Sequence, residues 1–245
     1  MVPIFKALQR YAASIICIVA CTVSVPLSAR SYPPSYEAES GVNAWQELAE
    51  DDRYHIIVAD PFEDTVYRPY APSTELADIR YIYDSPLSKA FNTESFLTGQ
   101  SDQSRRSLLV MTSFTIPGKQ NFQFKPDQPI VIRGQPYRLA VWIRSNEYRH
   151  RIEFLFRNAD SKLIRVDGGQ LYWKGWQRLD ITLPANLHKL GRRIGHQTGA
   201  TFEGIVIYSN PKSAPGNITL QFDSLLILSD FNRLNYNGAE IVDEW

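Results

Sequence analysis

Between Tyr137 and Pro184 apolar side chains recur at every second position, and this period constrains the fold more than any other property of the chain. Tyr137, Leu139, Val141 and Ile143 alternate along one segment, and Ile152, Phe154 and Phe156 along the next. That spacing places them on one face of a half-buried sheet. Asp167-Gly168 offers the positive-φ pair of a tight hairpin, and Lys174-Gly175, between Trp173 and Trp176, offers another. Trp176, a strand from Leu179 to Leu183 and then Pro184, which has no N–H to donate, complete a meander. The expected fold is all-β: a jelly-roll-like β-sandwich with long loops and a short N-terminal helix.

The chain has 245 residues, 44% of them apolar and 12% aromatic, enough to fill the core of one large all-β domain. Residues 1–29 read as a secretory signal peptide. Lys6 and Arg10 form a basic start, an apolar run extends from Tyr11 to about Leu27, and Ser28-Ala29 is a small-residue exit, so cleavage is expected after Ala29. A membrane span is the rival, but Ser14, Thr22, Ser24 and Pro26 interrupt the run. Cys17 and Cys21 both fall in this segment, so the exported chain is expected to carry no thiol and no disulfide. Ile18-Val19-Ala20-Cys21 loosely resembles a lipobox, a second rival that would leave Cys21 lipidated. Removing residues 1–29 leaves 24 basic against 26 acidic residues (26 less Lys6 and Arg10), a balance unsuited to nucleic acid. Eighteen of the 26 basic residues are arginine, and 13 tyrosines and 5 tryptophans accompany them, a composition suited to protein contact surfaces.

Residues 30–54 read as a leader with a short helix over 42–52, and residues 55–231 as the sandwich. The sandwich is expected to begin with a strand from His55 to Ala59. The carboxylates of Asp60-Pro61-Phe62-Glu63-Asp64 fit either a solvated turn or an oxygen-ligand cation site. Residues 66–91, punctuated by Pro69, Pro72 and Pro86, read as a long loop excursion. Strands are expected at Leu108 to Ile116, Phe122 to Phe124, Thr201 to Ser209 and Ile218 to Leu228, with a Gly-rich loop over 185–200 and a tail over 232–245.

No motif announces an enzyme. The chain lacks a His-Glu-x-x-His pair, a Gly-x-Ser-x-Gly elbow and a phosphate-binding Gly-Lys-Ser/Thr loop, and its four histidines form no close ligand pair. No catalytic, cofactor or metal site is therefore assigned. Tyr172, Trp173 and Trp176 fit either a sandwich core or a sugar platform, with Trp176 expected in the core and Trp173 the exposed ring. Arg144, Arg149, His150, Arg151 and Arg157 concentrate positive charge around one strand connection, Arg192 and Arg193 form a second focus, and Glu240, Asp243 and Glu244 make the tail acidic. This is either an ordinary solvated surface or the basis of a head-to-tail contact between copies, with Trp245 as an anchor. The candidate interface residues are Arg149, Arg151, Trp173, Arg192, Arg193 and Trp245.

Leu139-Ala140-Val141-Trp142 with Asn146 and Tyr148, Leu171-Tyr172-Trp173-Lys174-Gly175-Trp176 with Leu183-Pro184, Gln197, and Gln221 to Asp230 resemble the spirochaete flagellar filament outer layer family, FlaA. The likeness runs from about Tyr137 to Phe231, and the chain looks like the shorter of the family's leptospiral paralogues. It departs at Ser145, at Asn158-Ala159-Asp160-Ser161, where a turn glycine is usual, and over 66–91. The resemblance implies a non-catalytic sheath protein of the periplasmic flagellum. Such a protein coats a flagellin core, associates with itself and with other sheath proteins, and contributes to filament curvature, stiffness and motility. A secreted carbohydrate-binding module is the alternative.

Overall fold

The computed structural model describes residue 45 and residues 53–70, 77–84, 106–187 and 200–231. The expected signal peptide, the expected helix apart from Trp45, Arg192, Arg193 and the tail with Trp245 lie outside the described residues. Twelve strands are described: β1 (Tyr54–Asp60), β2 (Tyr67–Tyr70), β3 (Asp78–Ile82), β4 (Ser107–Phe114), β5 (Asn121–Pro126), β6 (Ile130–Val131), β7 (Gln135–Asn146), β8 (Arg151–Arg157), β9 (Leu163–Gln170), β10 (Lys174–Thr182), β11 (Thr201–Tyr208) and β12 (Gly216–Asp230). They form two antiparallel sheets. The first has the order β10-β7-β12-β4-β3 with β1 also on β12, and the second has the order β2-β5-β11-β8-β9 with β6 also on β11.

The expected β-sandwich is therefore present, but not the expected meander. β7 and β10 pair with each other in the first sheet, whereas β8 and β9 form a hairpin in the second. The chain crosses between sheets through 147–150 and returns through 171–173. Alternation in sequence says which side chains point inward, not which sheet a strand joins. The inward rows meet in one core: Leu139, Val141 and Ile143 of β7 and Leu220 and Phe222 of β12 on one side, and Ile152, Phe154 and Phe156 of β8 and Phe122 and Phe124 of β5 on the other. Each is at most 1% exposed, so truncating one of these phenylalanines to alanine should cost about 3–5 kcal/mol.

Asp167-Gly168 does not turn the chain. It lies inside β9, where the register slips between Ile152 and Glu153 of β8, so the dipeptide makes a β-bulge. Gly169 takes the positive φ of 80°, and its N–H donates to Asp167 Oδ1 at 2.9 Å. Gly168 packs instead of turning, because a Cβ there would lie 2.8 Å from both Ile152 Cγ2 and Phe154 Cε2. The hairpin turn is at Asn158-Ala159-Asp160-Ser161. Without a glycine, Ser161 adopts φ 63°, and Asn158 Oδ1 accepts from the N–H groups of Asp160 and Lys162. Nor is Lys174-Gly175 a hairpin turn, since both residues open β10 opposite Asn146 and Ser145.

β12 spans its whole sheet because of a second bulge. Register shifts between Asp223 and Leu226, with Ser224 at φ 45°. The inward positions change there from Leu220 and Phe222 to Leu225 and Ile227. One edge of β12 can then carry β4 along its first half and β1 along its second. Among its described residues, the excursion expected over 66–91 contains two strands, β2 and β3, both at sheet margins. Asp60 closes β1. Buried at 1% exposure, it accepts from Phe62 N–H at 2.8 Å, Thr65 Oγ1 at 3.1 Å and Tyr67 Oη at 2.6 Å. Burial raises its pKa against the opposing effect of these bonds, and burial together with the Asp60 carboxylate pushes the Tyr67 hydroxyl well above the usual tyrosine value.

Candidate functional site

The outer faces of the two sheets are built from different chemistry. On the first sheet, Trp45 is fully buried against Ala140, Leu226 and Leu228, with Tyr54, Ile56 and Val58 packed around them. Its indole Nε1 donates to Asp180 Oδ2 at 2.7 Å, and the Arg178 guanidinium lies 4.9 Å from the ring centroid. Arg138 Nε stands 3.1 Å from the other Asp180 oxygen, an ion pair without hydrogen-bond alignment. A residue distant in sequence therefore seals an apolar patch on this face and ties it to polar groups of β7 and β10.

The second sheet turns outward a lattice of alternating charge. Arg157 grips Glu203 with two bonds, at 2.6 and 3.1 Å, and Lys125 Nζ lies 3.9 Å from the same carboxylate. Lys125 Nζ also sits 3.8 Å from the ring centroid of Tyr70, which is 51% exposed. Further along, Arg151 pairs with Asp167 at 3.0 Å and with Glu153 at 3.1 Å, and Arg165 reaches Glu153 at 3.4 Å and Tyr208 Oη at 2.5 Å. Arg68 and Asp127 pair at 2.7 Å near the β2 margin. Hydrogen bonds from Arg151 and Arg157 hold Asp167 and Glu203 below their usual carboxylate values. Five cations and four carboxylates interleave, so the face has no strong net sign. Such a surface suits recognition of a partner with a matching pattern, where exposed charges set register and encounter more than raw affinity.

At one end of the sandwich, Glu147 to His150 and Lys212 to Ile218 line a groove of about 360 Å³. His150 is 4% exposed. Its Nδ1 accepts the Asn210 N–H at 3.1 Å, and its ring stacks on Tyr148 and meets Phe114 edge-on. Burial lowers its pKa.

This arrangement separates residues that lie close together in sequence. Arg151 and Arg157 belong to the charged lattice, Arg149 sits at the groove with its guanidinium 5.8 Å from the Tyr172 ring centroid, and Arg144 pairs with Asp84 on the first sheet. The expected single basic focus is thus distributed over two sheets and one end, and carboxylates answer most of it. Trp173 is not the exposed ring. It is 8% exposed, belongs to the core, and donates Nε1 to the Ile143 carbonyl at 3.0 Å. Trp176, expected in the core, is half-buried opposite Arg144 of β7, and Tyr172, at 40%, is the exposed ring of the group. The crossing through 171–173 turns Trp173 into the core and Tyr172 outward. Sequence reasoning missed Trp45 as an anchor and Glu153 and Glu203 as lattice acids; Glu153 was visible as a strand carboxylate two residues from Arg151, whereas Glu203 meets Arg157 only through strand pairing.

The family described as flagellar filament outer layer protein FlaA matches residues 101–237, which include β4 to β12. A flagellar filament outer layer-like protein of Brachyspira hyodysenteriae is 26% identical over 125 residues, covering 51% of this chain and 58% of that protein. The match thus spans little more than half of that relative's length. Among solved structures, the family 11 carbohydrate-binding module from Clostridium thermocellum, in complex with a mixed-linked tetrasaccharide, superposes with a TM-score of 0.40 at 11% identity, covering 72% of this chain and 96% of that one. TmCBM61 with galactotriose gives a TM-score of 0.39 at 12% identity over 69% of this chain and 90% of that one.

Proposed function

Because the chain belongs to the FlaA family of flagellar filament outer layer proteins, we propose that it is a non-catalytic structural component of the periplasmic flagellar sheath, coating the flagellin core together with other sheath proteins. The observation that carries this reading is the extent of the family match, which takes in nine of the twelve described strands and so both sheets of the sandwich. In this reading residues 1–29 direct export to the periplasm, and the chain corresponds to the shorter leptospiral paralogue. The charged outer face of the second sheet is the surface offered to neighbouring sheath or core proteins. The first sheet's face is already occupied in part by the chain's own Trp45. The sheath contributes to filament curvature, stiffness and motility.

Purified periplasmic flagella should contain the protein, and filaments from a strain lacking it should change in curvature. Filaments of wild-type shape in the deletion strain would count against a structural role. The carbohydrate-binding alternative loses the exposed Trp173 ring on which its binding platform rested.

A further inference from the structure

We propose that β9 is a self-pairing edge, at which two copies of this chain join antiparallel about a two-fold axis through Val166. The margin of a sheet leaves a row of backbone N–H and C=O groups without ladder partners. The margins of this sandwich are unequal. β2 is four residues long and carries Pro69, which has no N–H to donate. β3 has five residues, and its two charged side chains, Asp78 and Arg80, stand 3.7 Å from each other. β1 presents the apolar Tyr54, Ile56 and Val58, which pack with Trp45, and on β10 the side chains of Arg178 and Asp180 are engaged with Trp45 as well. β9 runs for eight residues without proline, is regular from Leu163 to Asp167 before its bulge, and bonds only to β8 among the described residues.

The side chains of β9 then select both the partner and the register. Directly opposed residues of an antiparallel pair share a face, so a two-fold pairing must centre on a residue. Centring on Arg165 sets that arginine against itself, and centring on Asp167 does the same for the aspartate. Centring on Val166 sets Arg165 of each copy against Asp167 of the other, giving two opposite-charge pairs from one three-residue unit. Past this unit the Asp167-Gly168 bulge breaks the alternation of β9, so the two charged pairs carry the register. The internal bonds of Arg165 and Asp167 hold both side chains on the outer face while leaving them 51% and 57% exposed, within reach of a second copy. The blocked β2 margin favours this closed pair over a head-to-tail chain built through the second sheet. The inference stands apart from the flagellar reading, because it follows from the edge alone.

Sedimentation of the exported chain tests it with two charge reversals, Arg165→Asp and Asp167→Arg. The wild-type chain should dimerise reversibly. Each variant alone sets like charges across the axis twice and should lose about tenfold in dimer affinity. An equimolar mixture of the two again opposes unlike charges and should recover wild-type association as a heterodimer. A monomeric wild-type chain, a dimer that neither reversal weakens, or a mixture no tighter than its separate components would overturn the proposal. An independent reading comes from mixing Arg165→Cys with Asp167→Cys under oxidation. A disulfide-linked dimer between the two variants supports the register, and monomer alone contradicts it.

Discussion

The outer face of the first sheet and that of the second differ in what holds them. On the first, one apolar patch is closed by Trp45, a side chain far away in sequence whose indole reaches Asp180 at 2.7 Å. On the second, order comes from strand neighbours: Arg157 with Glu203, Arg151 with Asp167, and Arg165 with Glu153. Burial of a large ring contributes several times more free energy than a solvated ion pair. The first face should therefore contribute to stability, while the second should be nearly neutral in stability and available for recognition.

The sharpest way to break this contrast is to remove its largest element. Trp45→Ala should lower the stability of the isolated protein by about 3 kcal/mol, read as a fall in urea midpoint, because it opens a cavity over Ala140, Leu226 and Leu228. A change as small as that of a surface residue would mean that the first face is not sealed. Next in size is Asp180→Asn, expected to cost about 1–2 kcal/mol. It keeps an acceptor for the indole but removes the negative charge between Arg138 and Trp45. On the second face Glu203→Gln should cost less than about 1 kcal/mol despite its two short bonds, since Arg157 is 40% exposed and solvent screens the pair. Its contribution should also follow pH. Because Arg157 holds the folded-state pKa of Glu203 below its unfolded value, the contribution is complete above the ordinary glutamate range and disappears as pH falls through the depressed value.

His150, between the two faces at the end of the sandwich, gives a smaller and separate signal. Burial lowers its pKa below that of an exposed histidine, so the unfolded chain binds the proton first. Its contribution is complete above the unfolded value and declines as pH falls below it towards the folded value. Melting curves between pH 7 and pH 5 should show a slope that His150→Gln reduces.

Much of this fold was legible in the sequence. The alternations at 137–143, 152–156 and 201–209 and the run at 218–228 correspond to β7, β8, β11 and β12. What alternation does not encode is sheet membership, so β7 to β10 read as one meander although the chain crosses between sheets twice. Asp167-Gly168 matched a hairpin because bulges and tight turns call for the same residues; the deciding feature, Gly168 against Ile152 and Phe154, is a tertiary contact. Similarly, local spacing assigned Trp173 to the surface and Trp176 to the core, whereas the crossing at 171–173 buries Trp173 and leaves Trp176 half-buried. Arg149 and Arg151 are both exposed, but their partners depend on register, and so does the separation of Arg144 from both.

The most direct test of the central claim is carboxyl footprinting of the protein free and in purified periplasmic flagella. The account predicts that the chain is present in the filaments, with Asp127, on the second-sheet side and 38% exposed when free, protected there, while Asp78 of the first sheet, 54% exposed, labels as it does in the free protein. Absence of the chain from the filaments, or protection of Asp78 with Asp127 left open, would contradict it.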